Sequence, residues 1–172
     1  MTSHALFGTD LGICGIAWTE AGVSRVCLPE ATAERTRAGL PGDPGDPPPR
    51  IQAVIDGVVR LLAGAPEFFD DPPLDLTGVP AFQRRVYQVT ATIRPGETMS
   101  YGQVAARLGQ PGAARAVGRA LGDNPVPIVV PCHRVLAADG KLHGFSAPGG
   151  LATKRRMLQI EGALRPDEPT LF

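Results

Sequence analysis

The sequence predicts a two-domain protein of the α/β (α+β) class, with a small antiparallel sheet domain first and a mostly helical domain after it. Short apolar runs separated by glycine-containing turns fill the first part of the chain, which is typical of a strand meander. From Pro80 onward, apolar residues recur at helical spacing instead. The segment Thr77-Gly78-Val79-Pro80 separates the two patterns, so we expect one domain over residues 1–78 and a second over residues 79–172.

Three short runs predict the strands of the first domain: Leu6-Phe7, Ile13–Trp18 and Val23–Leu28. Composition and helical spacing predict a short helix over Thr32–Leu40 and an amphipathic helix over residues 51–62. Residues 41–49 between them are rich in proline and glycine, which remove hydrogen-bond donors and add chain entropy. We therefore expect a solvated linker without regular structure there. Leu74-Asp75-Leu76 is a candidate for one more strand before the domain boundary.

The second domain should begin with a helix over Phe82–Ile93 that ends before Pro95. Ser100 is placed as the N-cap of the next helix, which Gly109 ends, and Ala113–Leu121 forms a further helix after a tight turn. Two helices joined in this way predict a helix-turn-helix. Such pairs also occur in proteins that bind no nucleic acid, so the pattern alone leaves the function open.

The second helix of this pair is unusually poor in side chains. Ala113, Ala114, Ala116 and Gly118 leave one side of it almost bare. Most recognition helices carry long polar side chains into the major groove, whereas a bare helix can approach a narrow groove closely. We therefore expect non-specific contact with the DNA minor groove, with Arg115 as the one long cation among the alanines. The alternative for Arg115 is a surface ion pair.

The charge of the chain is divided unevenly between the two expected domains. The formal net charge is zero, but residues 1–78 carry 5 Lys+Arg and 11 Asp+Glu, and residues 79–172 carry 12 and 6. An acidic half followed by a basic half indicates that the basic half binds a polyanion. The alternative, that the two halves simply attract each other, does not exclude the first interpretation.

Three cysteines, Cys14, Cys27 and Cys132, include no CxxC pair, and an odd number argues against a disulfide framework. The N-terminus lacks the basic and apolar regions of a signal peptide, and no apolar run is long enough for a membrane helix. We therefore expect a soluble protein of the reducing cytoplasm with no membrane partner. His4, Cys14 and Cys27 match no standard zinc spacing, so we expect no metal, with the cysteines in the strand core and His4 in a mobile terminus.

The residues that carry chemistry lie in the segment Asn124–Val135, which reads Asn-Pro-Val-Pro-Ile-Val-Val-Pro-Cys-His-Arg-Val. Ile128-Val129-Val130 predicts a short buried strand, which Pro131 ends just before Cys132. A thiolate is the strongest common side-chain nucleophile, and a neighbouring imidazole or cation lowers the pKa of a thiol. Cys132 is therefore the candidate nucleophile. The alternative, a small buried hydrophobic residue, is disfavoured by the flanking histidine, arginine and prolines.

If this segment is extended, adjacent side chains point to opposite faces, so His133 does not simply touch the Cys132 sulfur. A bent backbone or a bridging water would then let His133 accept the thiol proton, while a downstream carboxylate orients the imidazole. By the same alternation Arg134 points away from the nucleophile. We assign it structural anchoring through hydrogen bonds.

The Asn-Pro-x-Pro-x-x-x-Pro-Cys-His-Arg-Val segment, the small-residue helix at residues 112–118, Gly150–Lys154 and Glu161-Gly162 together resemble the O6-alkylguanine-DNA alkyltransferase family. The resemblance covers about residues 82–162. It implies a single, irreversible transfer of an alkyl group from O6-alkylguanine in double-stranded DNA to Cys132, with O4-alkylthymine as a further candidate substrate. The target base is expected to be flipped out of the duplex. The resemblance implies no metal and no cofactor, and we expect a monomer.

The resemblance also implies roles for single residues. His133 relays the thiol proton through water, and Glu161, on the helix from Leu151 to Ile160, orients the imidazole. Arg115 enters the space that the flipped base leaves, and Asn124 braces the turn before the active site. The expected contacts of the flipped nucleotide are Tyr101, backbone groups of Cys132 and Val135, Ser146 in a covering loop, and Lys154 near the site.

Two features depart from many relatives, because Phe145 stands where tyrosine is common and residues 144–150 form a segment two residues longer. Both leave open the size of the pocket, and hence the tolerance of bulky alkyl groups or alkylthymine. Two other functions also stay open. A lesion-binding protein without chemistry is disfavoured by Cys132, His133 and Glu161, and a thiol hydrolase would need an oxyanion hole that we do not identify.

Overall fold

The computed structural model describes residues 1–140 and 149–164 of the 172-residue chain. The chain divides into two compact units. The first unit comprises Met1–Thr77 and Pro125–Val129, and the second comprises Gly78–Asn124 and Val130–Phe172. Pro125–Val129, which lie within the segment Asn124–Val135, therefore belong to the first unit.

The first unit is built on an antiparallel meander, as the alternating apolar runs predict. Strands β1 (Ser3–Thr9), β2 (Gly12–Trp18) and β3 (Val23–Cys27) pair in sequence order. The β1–β2 register runs from Ser3 opposite Trp18 to Thr9 opposite Gly12. Together with the helices described below, this sheet confirms the expected mixed α/β class.

A fourth strand, β4 (Asp43–Pro44), pairs in parallel with the start of β1, so the expectation of an irregular linker over residues 41–49 is wrong. Alternate residues of a strand donate to the same neighbour. The N–H of Asp43 donates to Thr2 O at 3.2 Å and that of Gly45 to His4 O at 3.0 Å, while Pro44, which has no N–H, lies between them. The proline is therefore compatible with the pairing.

Two helices cover this sheet. Helix α1 (Ala33–Ala38) begins at the N-cap Thr32, whose hydroxyl accepts from the Arg35 N–H. Helix α2 (Pro49–Leu62) starts with a proline in its first turn, where the missing N–H costs nothing. Its buried face consists of Ile51, Val54, Ile55, Gly57, Val58, Leu61 and Leu62.

The predicted strand at residues 74–76 is reduced to an isolated bridge between Leu74 and Val23. The predicted strand over Ile128–Val130 is wrong. Ile128 has a φ of +74°, and the chain turns there. Prolines at positions 125, 127 and 131 remove donors that a strand would use. The apolar run was a correct signal of burial, but a short run does not distinguish a strand from a buried turn.

The second unit contains four α-helices within its described residues: α3 (Ala81–Thr90), α4 (Tyr101–Arg107), α5 (Ala114–Gly122) and α6 (Gly150–Ile160). Helix α4 begins with a capping box, in which the Ser100 hydroxyl and the Gln103 side chain each accept from the other residue's backbone N–H. Gly109, which follows α4, has a φ of +74°, as a C-terminal glycine requires. Helix α3 ends at Thr90, before the expected Ile93, which is nevertheless buried.

A short parallel pair of strands joins distant parts of the second unit. Strand β5 (Met99–Ser100) pairs with β6 (Val135–Leu136), which directly follows the candidate catalytic residues. This pairing fixes the start of α4 beside the end of the active-site segment. Within the described residues, no helix has the length and apolar character needed to cross a membrane.

Candidate active site

The backbone bends sharply at the candidate nucleophile. Pro131 has φ −81° and ψ 66°, and the N–H of Cys132 donates to Val130 O at 2.8 Å, which defines an inverse γ-turn. Cys132–Arg134 then form one turn of 3₁₀-helix. The expected extended alternation is therefore wrong, because successive side chains in a 3₁₀ turn are about 120° apart. Of the two geometries considered for the relay, the bent backbone is present.

Cys132 is 8% exposed, and its burial raises the pKa of the thiol. A hydrogen bond from the Asn124 side chain and the charge of Lys154 act in the opposite direction, but burial dominates. The expectation that neighbouring groups lower this pKa is therefore wrong in its net direction. The raised pKa favours the thiol form of the resting side chain.

His133 is the candidate base. The residue is 1% exposed, and its Nε2 lies 2.7 Å from Glu161 Oε1. Burial lowers the pKa of the imidazole, while the hydrogen bond and charge of Glu161 raise it by less. A neutral ring that donates from Nε2 to a carboxylate keeps its lone pair on Nδ1. In the described part of the protein this buried Nδ1 has no hydrogen-bond partner.

Glu161 is held by two residues of the 3₁₀ turn. Arg134 donates through Nε to Oε2 at 2.9 Å and through Nη2 to Oε1 at 2.8 Å, in addition to the His133 hydrogen bond. Burial raises the pKa of Glu161, but the hydrogen bonds and charges of His133 and Arg134 bring it down to about 2. The carboxylate is therefore ionised although its side chain is only 2% exposed. Arg134 also donates from Nη1 to Ile93 O at 2.6 Å.

Lys154 and Tyr101 lie close enough to Cys132 to interact with its charge. The Lys154 ammonium, 1% exposed, donates to Val135 O at 2.9 Å and lies 5.9 Å from the centre of the Tyr101 ring. Burial lowers the pKa of Lys154 to about 8, although a thiolate at Cys132 would favour the charged form. Burial also raises the pKa of Tyr101, and the Cys132 charge acts in the same direction. The Val135 carbonyl, expected to face a base, thus already accepts from Lys154.

Asn124 places its side-chain amide across the turn before the nucleophile. Its Nδ2 donates to Val130 O at 2.9 Å, the carbonyl that also accepts from the Cys132 N–H. The amide thereby fixes the bend that exposes the sulfur to its neighbours. The expected Ser146 and the variant Phe145 lie outside the described residues.

The small-residue helix α5 was predicted to contact DNA, and that role stays a prediction. Arg115 is exposed, and Ala113, Ala114 and Gly118 are half-buried. A Cβ added at Gly118 would lie 3.9 Å from the Tyr101 ring, so this glycine faces the tyrosine. The structure thus brings the bare helix next to a residue that also neighbours Lys154.

Sequence reasoning missed Tyr87 on α3. Its buried hydroxyl donates to Ala120 O on α5 at 2.6 Å, and burial, with the charges of Asp123 and Cys132, raises its pKa to about 12. A buried tyrosine hydroxyl normally has a hydrogen-bond partner. Nothing in the sequence identified the carbonyl that accepts from it.

The three residues considered as zinc ligands are His4, Cys14 and Cys27. Among the described residues, no group of three His, Cys, Asp or Glu side chains could hold a metal ion. Cys14 is buried in β2. The expectation of a mobile terminus at His4 is wrong, because His4 lies in β1, is buried, and its Nδ1 donates to Pro41 O at 3.2 Å.

A buried thiol beside an imidazole that an ionised carboxylate orients is an arrangement used for nucleophilic catalysis by cysteine. Residues 81–163 match the family model described as 6-O-methylguanine DNA methyltransferase, DNA binding domain. A methylated-DNA–protein-cysteine methyltransferase of Mycobacterium tuberculosis is 39% identical over 172 residues, covering 100% of this chain and 99% of that protein. The chain belongs to the methylated-DNA–protein-cysteine methyltransferase family.

Solved structures agree with this assignment over nearly the whole chain. The crystal structure of Mycobacterium tuberculosis O6-methylguanine methyltransferase superposes with a TM-score of 0.77 at 38% identity, covering 98% of this chain and 97% of that chain. The structure of the M. tuberculosis protein in complex with DNA gives a TM-score of 0.76 at 38% identity, covering 93% and 92%. A homologue of the same name from Methanothermobacter thermautotrophicus is 36% identical over 148 residues, covering 86% of this chain and 78% of that protein.

The ionised Glu161 predicts a specific pH dependence of stability. A carboxyl group whose pKa is lower in the folded than in the unfolded protein stabilises the fold at pH values above its unfolded-state pKa, about 4.3. This stabilisation is lost as the pH falls through the folded-state pKa, about 2. Glu161→Gln leaves the buried Arg134 charge unpaired and should lower the free energy of unfolding by about 3 to 5 kcal/mol near neutral pH. The difference from wild type should shrink as the pH approaches the folded pKa.

Urea unfolding across the acid range measures this effect. Glu67→Gln is the matched control, since Glu67 forms an ion pair with Arg60 whose partners are 26% and 55% exposed. Solvent screening makes such pairs weak, so the control should unfold almost like wild type. Equal behaviour of the two variants would contradict an ionised, structurally coupled Glu161.

Proposed function

We propose that this protein repairs DNA by transferring the alkyl group of O6-alkylguanine to the sulfur of Cys132, once per molecule. The observation that carries the proposal is the bonded arrangement of His133, Glu161 and Arg134 next to a buried thiol, in a chain of the methylated-DNA–protein-cysteine methyltransferase family. The protein supplies a nucleophile and a base. The reaction needs no further group, because the alkyl carbon is itself the electrophile.

The first step removes the thiol proton. Because burial favours the thiol form of Cys132, the sulfur has to lose its proton as it attacks. The Nδ1 of neutral His133 is the acceptor, and Glu161 stabilises the imidazolium that forms. The two side chains make no direct hydrogen bond, so the proton passes through one water molecule.

The second step moves the alkyl group. The sulfur–carbon bond forms as the carbon–oxygen bond breaks, and the electron pair stays on the guanine oxygen. Guanine takes up one proton in place of the alkyl group, which balances the proton lost by the thiol. The charged Lys154 lies where it can stabilise negative charge that develops near Cys132. A thioether is not hydrolysed under physiological conditions, so the sulfur is consumed.

Helix α5 is the proposed DNA-contacting element, as the second helix of a helix-turn-helix formed with α4. Its small residues Ala113, Ala114 and Gly118 allow close approach to a minor groove, and the exposed Arg115 can enter the base stack where the damaged nucleotide has left it. Tyr101, which faces Gly118, is then positioned between the groove and Lys154.

The remaining parts of the proposal concern the setting of the reaction. Ser146, Val135 and Lys154 are proposed to contact the flipped base or its neighbourhood, and O4-alkylthymine is a second candidate substrate. Since the reaction consumes a reduced thiol, we place the protein in the reducing cytoplasm, acting as a monomer. A lesion-binding protein without chemistry is not favoured, because the full-length relatives are methyltransferases.

A labelled-transfer assay tests the reaction. Duplex DNA that carries O6-[methyl-³H]methylguanine should pass its label to the protein in a burst that ends at one label per molecule. Cys132→Ala should take up no label and still bind the DNA, because the substitution leaves α5 intact. Sustained turnover would contradict the proposed single transfer, and label on the Cys132→Ala protein would contradict the assignment of the nucleophile.

A second test separates base flipping from general attraction to DNA. Arg115→Ala should slow transfer from duplex DNA by about tenfold or more, because the unstacked duplex loses the side chain that fills the gap. Transfer from the free base O6-methylguanine should be unchanged. Arg119→Ala, which removes an exposed arginine from the same helix, is the control for loss of charge. Equal slowing by both variants would contradict a specific role for Arg115.

A further inference from the structure

Arg134 and His133 both donate hydrogen bonds to the same carboxylate. Glu161 Oε1 accepts both from His133 Nε2 at 2.7 Å and from Arg134 Nη2 at 2.8 Å, while Oε2 accepts from Arg134 Nε at 2.9 Å. The third donor of Arg134, Nη1, binds Ile93 O at 2.6 Å. Sequence reasoning gave Arg134 a purely structural role. Its direct contact with the partner of the proposed base suggests that it also influences the base.

Among the described residues, three charged side chains act on His133. Glu161 contributes a negative charge, and Arg134 and Lys154 contribute positive charges that disfavour the imidazolium. Cys132, the neighbour in the same turn, is uncharged before reaction. Burial disfavours the imidazolium most, and the guanidinium opposes part of the attraction that Glu161 exerts on a proton at His133.

We propose that Arg134 is a positioning residue for alkyl transfer, which keeps His133 neutral with its lone pair on Nδ1 by neutralising the Glu161 carboxylate. The inference deepens the proposed function and rests on it. Arg134 touches neither the sulfur nor the substrate. It acts through Glu161, which it holds in place by a two-point contact and by the tether to Ile93.

Loss of the Arg134 charge would change the protonation of Glu161 and His133. A buried carboxylate and an imidazole without Arg134 would together bind one more proton at neutral pH. If the extra proton sits on His133, the base is already protonated. If it sits on Glu161, the carboxylic acid donates to Nε2, and the ring hydrogen moves to Nδ1. In both forms Nδ1 has lost the lone pair that accepts the thiol proton.

The pH dependence of single-turnover transfer distinguishes this role from simple support of the fold. For Arg134→Met the acid limb of the rate profile should move to higher pH by about one unit or more, because a neighbouring opposite charge shifts a pKa by roughly 1 to 3 units. At a pH just below neutral, this variant should therefore lose about tenfold relative to its own alkaline plateau. Arg134→Lys keeps the charge but not the two-point contact, so its acid limb should stay near that of wild type even if its rate falls.

Arg85→Met is the matched control. Arg85 belongs to the same unit, and its guanidinium donates to Leu108 O at 2.9 Å, away from Glu161. This variant should leave the midpoint of the profile unchanged. If Arg134→Met lost the same factor at every pH, Arg134 would be only structural and the proposal would be overturned.

If Arg134→Met does not fold, titration of His133 in a protein that keeps Arg134 still tests the proposal. The chain has three histidines, so His4→Gln combined with His143→Gln leaves only His133 to observe by NMR. The ring should remain neutral below the ordinary histidine value of about 6.5. Titration above that value would overturn the proposal. Because this readout needs no DNA, it stands apart from the labelled-transfer assay, whose failure would overturn the proposed function instead.

Discussion

The active site depends on one buried carboxylate that two neighbouring side chains share. Glu161 follows α6, yet it is bound by His133 and Arg134, which lie in one 3₁₀ turn directly after the nucleophile. An isolated carboxylate with this burial would be protonated, and an isolated imidazolium or guanidinium there would be strongly destabilising. The three groups are stable together because each satisfies the others. The same contacts fix the end of α6 to the active-site turn.

In the proposed reaction, this cluster would supply the base that a buried thiol needs. Burial of Cys132 raises the pKa of its thiol and so disfavours the thiolate. In the proposed mechanism, a thiol that is protonated at rest needs a base that is neutral at rest, and the surroundings of His133 disfavour the imidazolium. Lys154, with its pKa of about 8, supplies positive charge close to the sulfur when negative charge develops. Resting stability and reactivity thus come from the same set of contacts.

The sequence was informative where periodicity and capping decide the structure. The strand meander, α2, and the Ser100 cap of α4 follow from alternation, helical spacing and local hydrogen bonding. Two predictions were wrong in proline-containing segments, at residues 41–49 and at Ile128–Val130. Asp43–Pro44 forms a strand because the N–H donors on either side of the proline are sufficient for the pairing. The chain turns at Ile128, and the strand prediction failed there because apolar composition indicates burial and not backbone conformation.

Within the site, the motif identified the nucleophile, the base and the carboxylate as candidates, and the structure brings His133 and Glu161 into contact. The direction of the thiol pKa could not be predicted, because burial of Cys132 results from packing between residues distant in sequence. The partners of Arg134 were equally hidden, since Ile93 and Glu161 lie far from it along the chain. The direction predicted for the Arg134 side chain also rested on an extended segment, which the structure does not have.

Titration of Cys132 by the ultraviolet absorbance of its thiolate most directly tests whether the resting nucleophile is protonated. The difference in absorbance between wild type and Cys132→Ser isolates this residue from Cys14 and Cys27. The structure predicts that the difference signal is absent at neutral pH and appears only above the ordinary thiol value of about 8.5. A thiolate signal already present below neutral pH would contradict a mechanism in which His133 has to remove the proton.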